Sequence, residues 1–187
     1  MLQECINTSR LHLRPLIDAD APGILAIRSN AQINKYLGRS NNCTLDDALV
    51  FIGKIKDIIS AGDGFYWAIT LKETYELIGT ICYWNIEPAN AKAEVGYELL
   101  PDYQGRGYMT EAINAVLSFG FNTIDFETIT AFPVKDNLSS EAVLKRTGFF
   151  LAGNFIDQQT GNTHLDYRLS RLDWLNGTDQ KEKTRLK

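Results

Sequence analysis

The chain has 187 residues, enough for one domain with a sizeable core. Hydrophobic residues make up 44% and charged residues 22%, a globular balance that argues against a disordered or membrane-embedded chain. The formal net charge of −4 gives no electrostatic reason to bind nucleic acid, and no run approaches the roughly 18 apolar residues of a membrane span.

The opening stretch, MLQECINTSRLHLRPL, has no cationic segment leading into a long apolar one, so no signal peptide and a cytoplasmic location are expected. Cys5, Cys43 and Cys82 are widely spaced with no Cys-x-x-Cys pair, so neither a disulfide framework nor a metal site is expected. Arg10 to Leu16 alternates apolar and polar positions, a first strand ended at Pro15. Asp20 is placed to cap a helix that has Pro22 in its first turn and runs towards Asn30. Ile33 to Asn42 is loop or short helix. Thr44 and Asp47 form a capping-box signature, and Leu45, Ala48, Leu49, Ile52, Ile55 and Ile59 follow at helical spacing until Gly62.

Three strands are predicted next, Phe65 to Leu71, Leu77 to Ile86 and Ala93 to Leu100, with short loops that favour an antiparallel meander. Gly107 to Gly120 has Met109, Ala112, Ile113, Val116 and Leu117 on one helical face. A strand at Glu127 to Val134, a helix at Leu138 to Thr147 and strands at Phe149 to Ile156 and Leu165 to Leu169 complete the order β-α-α-β-β-β-α-β-α-β-β. This is an α/β (α+β) mixed sheet with helices on its faces, a single domain over 1–174 with a polar tail at 175–187. The strand–helix–strand unit from Ala93 to Val134 is a crossover, so its two strands should run parallel, with a ligand crevice at their carboxyl end.

The bend between them, Gln104-Gly105-Arg106-Gly107-Tyr108-Met109, is the informative stretch. Two glycines let the backbone turn tightly and approach a bulky ligand, and the first helical amides lack intrahelical partners at the positive end of the helix dipole. Together they suit a pyrophosphate, with the Arg106 charge beside it. A nucleotide P-loop would end in Gly-Lys-Ser/Thr where this chain has Gly107-Tyr108-Met109, and a dinucleotide fingerprint would want a third glycine or alanine where Thr110 stands.

Four stretches, in order and at compatible spacing, resemble the GNAT superfamily of N-acetyltransferases, in the ribosomal-protein alanine N-acetyltransferase (Rim) branch. They are Arg10 to Leu16, Ala93-Glu94-Val95-Gly96-Tyr97, Gln104 to Met109, and Asn137-Leu138-Ser139-Ser140 followed by Leu144 and Gly148-Phe149. The resemblance covers roughly Arg10 to Ser170. It implies a mostly antiparallel sheet with one parallel, splayed pair and helices on both faces. It also implies acetyl-CoA as cosubstrate, with no metal. Backbone groups of Leu99 and Leu100 would pair with pantetheine, and amides from Gly105 through Arg106, Gly107, Tyr108 and Met109 to Thr110, after Gln104, would take the pyrophosphate. Asn137 would hold CoA or the local backbone. Met109 departs from the family's usual glycine or alanine, and its place in the helical periodicity directs it to the core.

By the same resemblance, Glu94 is the candidate base that takes the amine's proton, directly or through a water, and Ser140 the candidate donor to the departing thiolate. Alternation puts Glu94, Gly96 and Glu98 on one side of the strand, opposite Ala93, Val95, Tyr97 and Leu99, unless a bulge near Gly96 upsets the count. Plain alternatives stand beside these roles: a solvated strand glutamate for Glu94, helix capping for Asn137 and Ser140. His12 and His164 lack nucleophile motifs and are expected to be structural, while Trp84 or Phe132 are candidates to line an acceptor pocket. The acceptor is a primary amine, either a protein N-terminus or a small molecule such as an antibiotic or polyamine, bound by Ile33–Asn42 and Gln158–Asn162. A non-catalytic CoA-binding module is the remaining alternative. Nucleic acid and membrane are not expected partners, and the chain is expected to be a monomer or homodimer.

Overall fold

The computed structural model describes residues 3–185, with side chains described to residue 178. Among the described residues the strands are β1 (Ile6–Asn7), β2 (Leu11–Arg14), β3 (Phe65–Leu71), β4 (Leu77–Glu87), β5 (Lys92–Leu99), β6 (Thr128–Ala131), β7 (Phe150–Ile156) and β8 (Thr163–Ser170). They form one sheet in the order β1-β2-β3-β4-β5-β6-β8-β7, antiparallel throughout except for the parallel pair β5 and β6. The helices are α1 (Ala21–Arg28), α2 (Ala31–Asn34), α3 (Leu45–Ala61), α4 (Tyr108–Asn122), α5 (Leu138–Arg146) and α6 (Arg171–Arg185).

The mixed sheet predicted from the pattern is present, with a core on each face. Leu11, Leu13, Trp67, Ile69, Ile81 and Tyr83 pack with α4 and α5 through Ala112, Ile113, Val116 and Leu144. On the other face Tyr66, Ala68 and Cys82 meet Ile24 and Ile27 of α1 and Ala48, Ile52 and Ile55 of α3. Helix α4 comes very close to the sheet at Gly120, where an added Cβ would lie 2.6 Å from Tyr83 Oη. That hydroxyl donates to Val116 O at 3.0 Å, so this fully buried polar ring is satisfied by the helix above it.

Local chemistry explains several boundaries. The Thr44 hydroxyl accepts from Asp47 N and the Asp47 carboxylate accepts from Thr44 N, the predicted capping box of α3, and Gly62 ends the helix at φ 80. Leu45 and Leu49 stay exposed, so the buried stripe of α3 is narrower than the periodicity predicts. Asp20 stands at the N-cap of α1, as expected, but its side chain makes no capping bond there. It is buried, accepts both arms of Arg14 at 2.7 Å, and takes the Ile17 N–H. A bidentate guanidinium out-competes a helix amide for a carboxylate. Where a polar tail is predicted from 175, α6 continues to Arg185, anchored by Trp174 against Phe121 and by Arg171 paired with Asp125 at 2.8 Å. Residues 186–187 of that tail lie outside the described residues.

The β5–β6 pair opens where the site lies. Its register runs Lys92↔Thr128, Ala93↔Ile129 and Glu94↔Thr130 and goes no further. After Ala131 the chain stays with β8, as Leu165 N donates to Pro133 O at 2.9 Å and Val134 bridges His164. Pro133 has no N–H to offer β5 in return. A crevice therefore opens between the carboxyl halves of the two parallel strands.

Candidate active site

The donor end of the crevice is built by the bend between β5 and α4. Gly105 has φ 72 and Gly107 φ 80, left-handed values that a side chain resists, and Gly107 occupies the N-cap of α4 without offering a side-chain acceptor. The first intrahelical bond is Glu111 N to Gly107 O, so the amides of Tyr108, Met109 and Thr110 have no helical acceptor. They face a cavity of about 580 Å³ lined by Gly105, Gly107, Tyr108, Met109 and Thr110 together with Asn137, Ser140, Val143 and Arg146. Those donors, two side-chain-free turns and the dipole of a fifteen-residue helix fit a diphosphate.

The bend is braced from β2. Arg10 donates to Arg106 O at 3.0 Å, lies 4.4 Å over the Tyr108 ring, and pairs with Glu111 at 2.6 Å. Burial alone would push the Glu111 carboxyl up. Bonds from Thr8, the Arg10 backbone and guanidinium, and Ser9 outweigh it and hold the group at about 2. Arg106 itself is exposed, 5.9 Å from the Tyr103 ring centroid, so Arg146 is the arginine lining the cavity. Met109 is buried in the core, where its helical period directs it.

Along β5 the side chains alternate as predicted. Its register with β4 runs unbroken from Gly79↔Leu99 to Trp84↔Glu94, so there is no bulge at Gly96. The irregularity falls further on in β4, where Asn85 adopts φ 46 and donates to Glu94 Oε2 at 2.8 Å. Asparagine tolerates that conformation, and the bend re-aims its amide at the glutamate. Burial raises the Glu94 carboxyl above its ordinary range; the Asn85 bond and the charges of His164 and Lys92 offset it only in part.

Leu100 N donates to Ile78 O at 2.9 Å and Leu100 O accepts from Tyr103 N at 3.0 Å, so both its backbone groups are engaged within the chain. Strand alternation then turns the Leu99 N–H to the opposite edge, into the crevice. Leu99 O accepts from Gln104 Nε2 at 2.9 Å. Across the crevice, Asn137 caps α5 by accepting from Ser140 N at 3.1 Å and Ser139 Oγ at 2.8 Å. Ser140 Oγ lies 2.7 Å from Tyr97 Oη, a hydroxyl pushed up by burial and only partly restored by that bond. Tyr97, expected only as an apolar-face residue, thus ties β5 to the N-terminus of α5 across the crevice.

A second cavity of about 230 Å³ continues beyond Ser140, lined by Glu94, Gly96, Trp84, Phe132 and His164. Trp84 and Phe132 do line it, as their positions suggest. His164 is fixed by Nδ1 at 2.8 Å from Phe132 O and stacks on Phe155 at 5.5 Å. Both cavities share Tyr36, Leu37, Tyr97, Glu98, Asn137 and Ser140. Tyr36 and Leu37 come from the segment between α2 and α3, which reaches the turn after β7: an added Cβ at Gly38 would lie 3.9 Å from Thr160 Cγ2. No group of three or more potential metal ligands occurs among the described residues.

The profile of the family described as "Acetyltransferase (GNAT) domain" matches residues 10–150. The chain belongs to the GNAT acetyltransferases. It is an acyl-CoA-dependent acetyltransferase, and GNAT relatives align over most of its length. The uncharacterized N-acetyltransferase YoaA of Bacillus subtilis (strain 168) is 33% identical over 144 residues, 77% of this chain and 81% of the relative. The ribosomal-protein-serine acetyltransferase of Escherichia coli (strain K12) is 36% identical over 78 residues, 42% of this chain and 44% of the relative. The solved structure of RimL, a ribosomal L7/L12 α-N-protein acetyltransferase in complex with coenzyme A, superposes with TM-score 0.80 at 22% identity, covering 89% of this chain and 98% of that one. At that identity the likeness shows the GNAT fold.

Proposed function

We propose that this GNAT acetyltransferase moves the acetyl group of acetyl-CoA directly onto a protein N-terminal α-amine in the cytosol. The observation that carries the reading is the junction of the two cavities at Tyr97, Glu98 and Ser140, with a diphosphate-suited helix N-terminus at one end and Glu94 at the other. The amides from Gly105 to Thr110 hold the diphosphate, with Asn137 beside the arm. The Leu99 N–H takes the place of a strand partner to pantetheine and donates to the oxygen that becomes negative as the amine attacks. The acceptor class is inferred from the relatives' names: one acts on ribosomal-protein serine, another on the α-N terminus of L7/L12.

The amine must lose its proton before its lone pair can bond to the thioester carbon. An α-amino group has an ordinary pKa of about 7.7–8.0, so a carboxylate raised by burial and aimed by Asn85 is a competent acceptor for that proton. As the carbon–sulfur bond breaks, the Ser140 hydroxyl, held by Tyr97, passes its proton to the sulfur and takes up the one that the acylated nitrogen releases.

The test follows thiol release from acetyl-CoA with N-terminally free peptides, the same peptides with blocked N-termini, and antibiotics and polyamines. Free α-amines are expected to support turnover and blocked ones not. Glu94→Gln and Ser140→Ala are each expected to lower kcat; turnover untouched by both would remove these two residues from the chemistry.

A further inference from the structure

Glu98 faces the same side of β5 as Glu94 and lines both cavities, yet it is not free. Arg39 reaches it from the segment between α2 and α3, with Nη1 donating to Oε1 at 2.8 Å and Nη2 to Oε2 at 2.7 Å. The two side chains are only 20% and 19% exposed. Arg39 Nε is itself held by Asn34 Oδ1 at 2.6 Å, and the buried Asn34 donates to Arg28 O at 2.7 Å and Asn41 Oδ1 at 2.8 Å. The guanidinium is therefore fixed in a fork, the geometry in which arginine binds a carboxylate most firmly.

We propose that the Arg39–Glu98 pair determines acceptor selectivity: by occupying Glu98 it fits the smaller cavity to a monoamine and against a diamine. This rests on the reading of that cavity as the acceptor site. Among the described residues its carboxylates are Glu94 and Glu98, and Glu94 has no cationic partner within ion-pair distance. Four residues of strand separate them, roughly 13 Å between Cα atoms, so one cationic nitrogen could serve each if both were available. With Glu98 taken, the second ammonium of a diamine would lose water and find no countercharge. A single α-amine meets no such penalty.

The experiment compares kcat/KM for an N-terminally free alanyl peptide amide and for 1,4-diaminobutane, both with acetyl-CoA. Arg39→Gln is expected to raise the diamine-to-peptide ratio by about tenfold or more by freeing Glu98, within the range of desolvated charge pairs. In Arg39→Gln/Glu98→Gln the ratio is expected to return to the wild-type value. An unmoved ratio in the single variant overturns the proposal, as does an equal rise in the double variant, which would signal a loosened loop. Should Arg39→Gln fail to fold, inhibition of wild-type peptide acetylation decides: 1,4-diaminobutane is expected to inhibit no better than n-butylamine, and about tenfold tighter diamine binding would overturn the proposal. A wild type that acetylates neither probe refutes the α-amine acceptor reading and this proposal with it; a wild type that acetylates the peptide, with an unmoved Arg39→Gln ratio, refutes the proposal alone.

Discussion

Glu111→Gln tests how β2 and the residues before it brace the glycine bend before α4. The wild-type carboxylate accepts from Thr8 Oγ1 and Arg10 Nε at 2.6 Å, Arg10 N at 2.8 Å and Ser9 Oγ at 2.9 Å. Its folded value of about 2 lies below the ordinary 4.5. A depressed carboxyl contributes stability that is complete above its unfolded value and is lost as pH falls towards the folded one. The shift corresponds to roughly 3 kcal/mol, and screening at Arg10, whose side chain is 46% exposed, trims it to about 2 kcal/mol. Urea unfolding of both proteins at several pH values is the assay. The variant is expected to be about 2 kcal/mol less stable near pH 7, with the gap closing between about pH 4.5 and 2. Because Arg10 also holds Arg106 O, its CoA affinity should fall several-fold. A gap independent of pH, or no gap at all, would refute the electrostatic account of this brace.

Glu94→Gln is expected to lower kcat by about 10²–10³ while leaving CoA affinity intact, as for loss of a general base; the acid limb of the wild-type pH–rate profile, displaced above 4.5, should vanish with it. Gly107→Ala forces a Cβ onto φ 80 and should cost about 1–2 kcal/mol, read in calorimetry as a roughly tenfold or greater loss of CoA affinity if the bend yields, or as a lower melting temperature if it holds. Tyr97→Phe leaves Ser140 Oγ without its 2.7 Å partner and should reduce kcat about tenfold with little change in CoA affinity. Equal losses in kcat and CoA affinity would assign Tyr97 to packing.

Much of the architecture was legible because local signals agreed with the global fold. The aromatic and β-branched run Phe65–Leu71 places that strand at its observed bounds, and Thr44, Asp47 and Gly62 carry both ends of α3. The shape of the glycine bend before α4 was legible for the same reason, since two glycines before an amphipathic run are a local statement about backbone shape. What escaped depends on residues far apart in the chain. Asp20 looks like a cap until Arg14 is folded beside it, and nothing near Arg39 announces Glu98, 59 residues away. Tyr97 sits at an apolar position by period, and its hydroxyl finds its partner at the α5 N-terminus across the crevice. His164 was expected to be structural; its ring is held by Phe132 O yet also walls the smaller cavity, a double placement that period and spacing do not encode.

The most direct measurement is a crystal structure with coenzyme A bound. The diphosphate oxygens should lie within hydrogen-bond distance of the amides between Gly105 and Thr110, with the sulfur directed at Ser140 and the Leu99 N–H. Coenzyme found elsewhere, or those amides filled by protein groups while it is bound, would contradict the account.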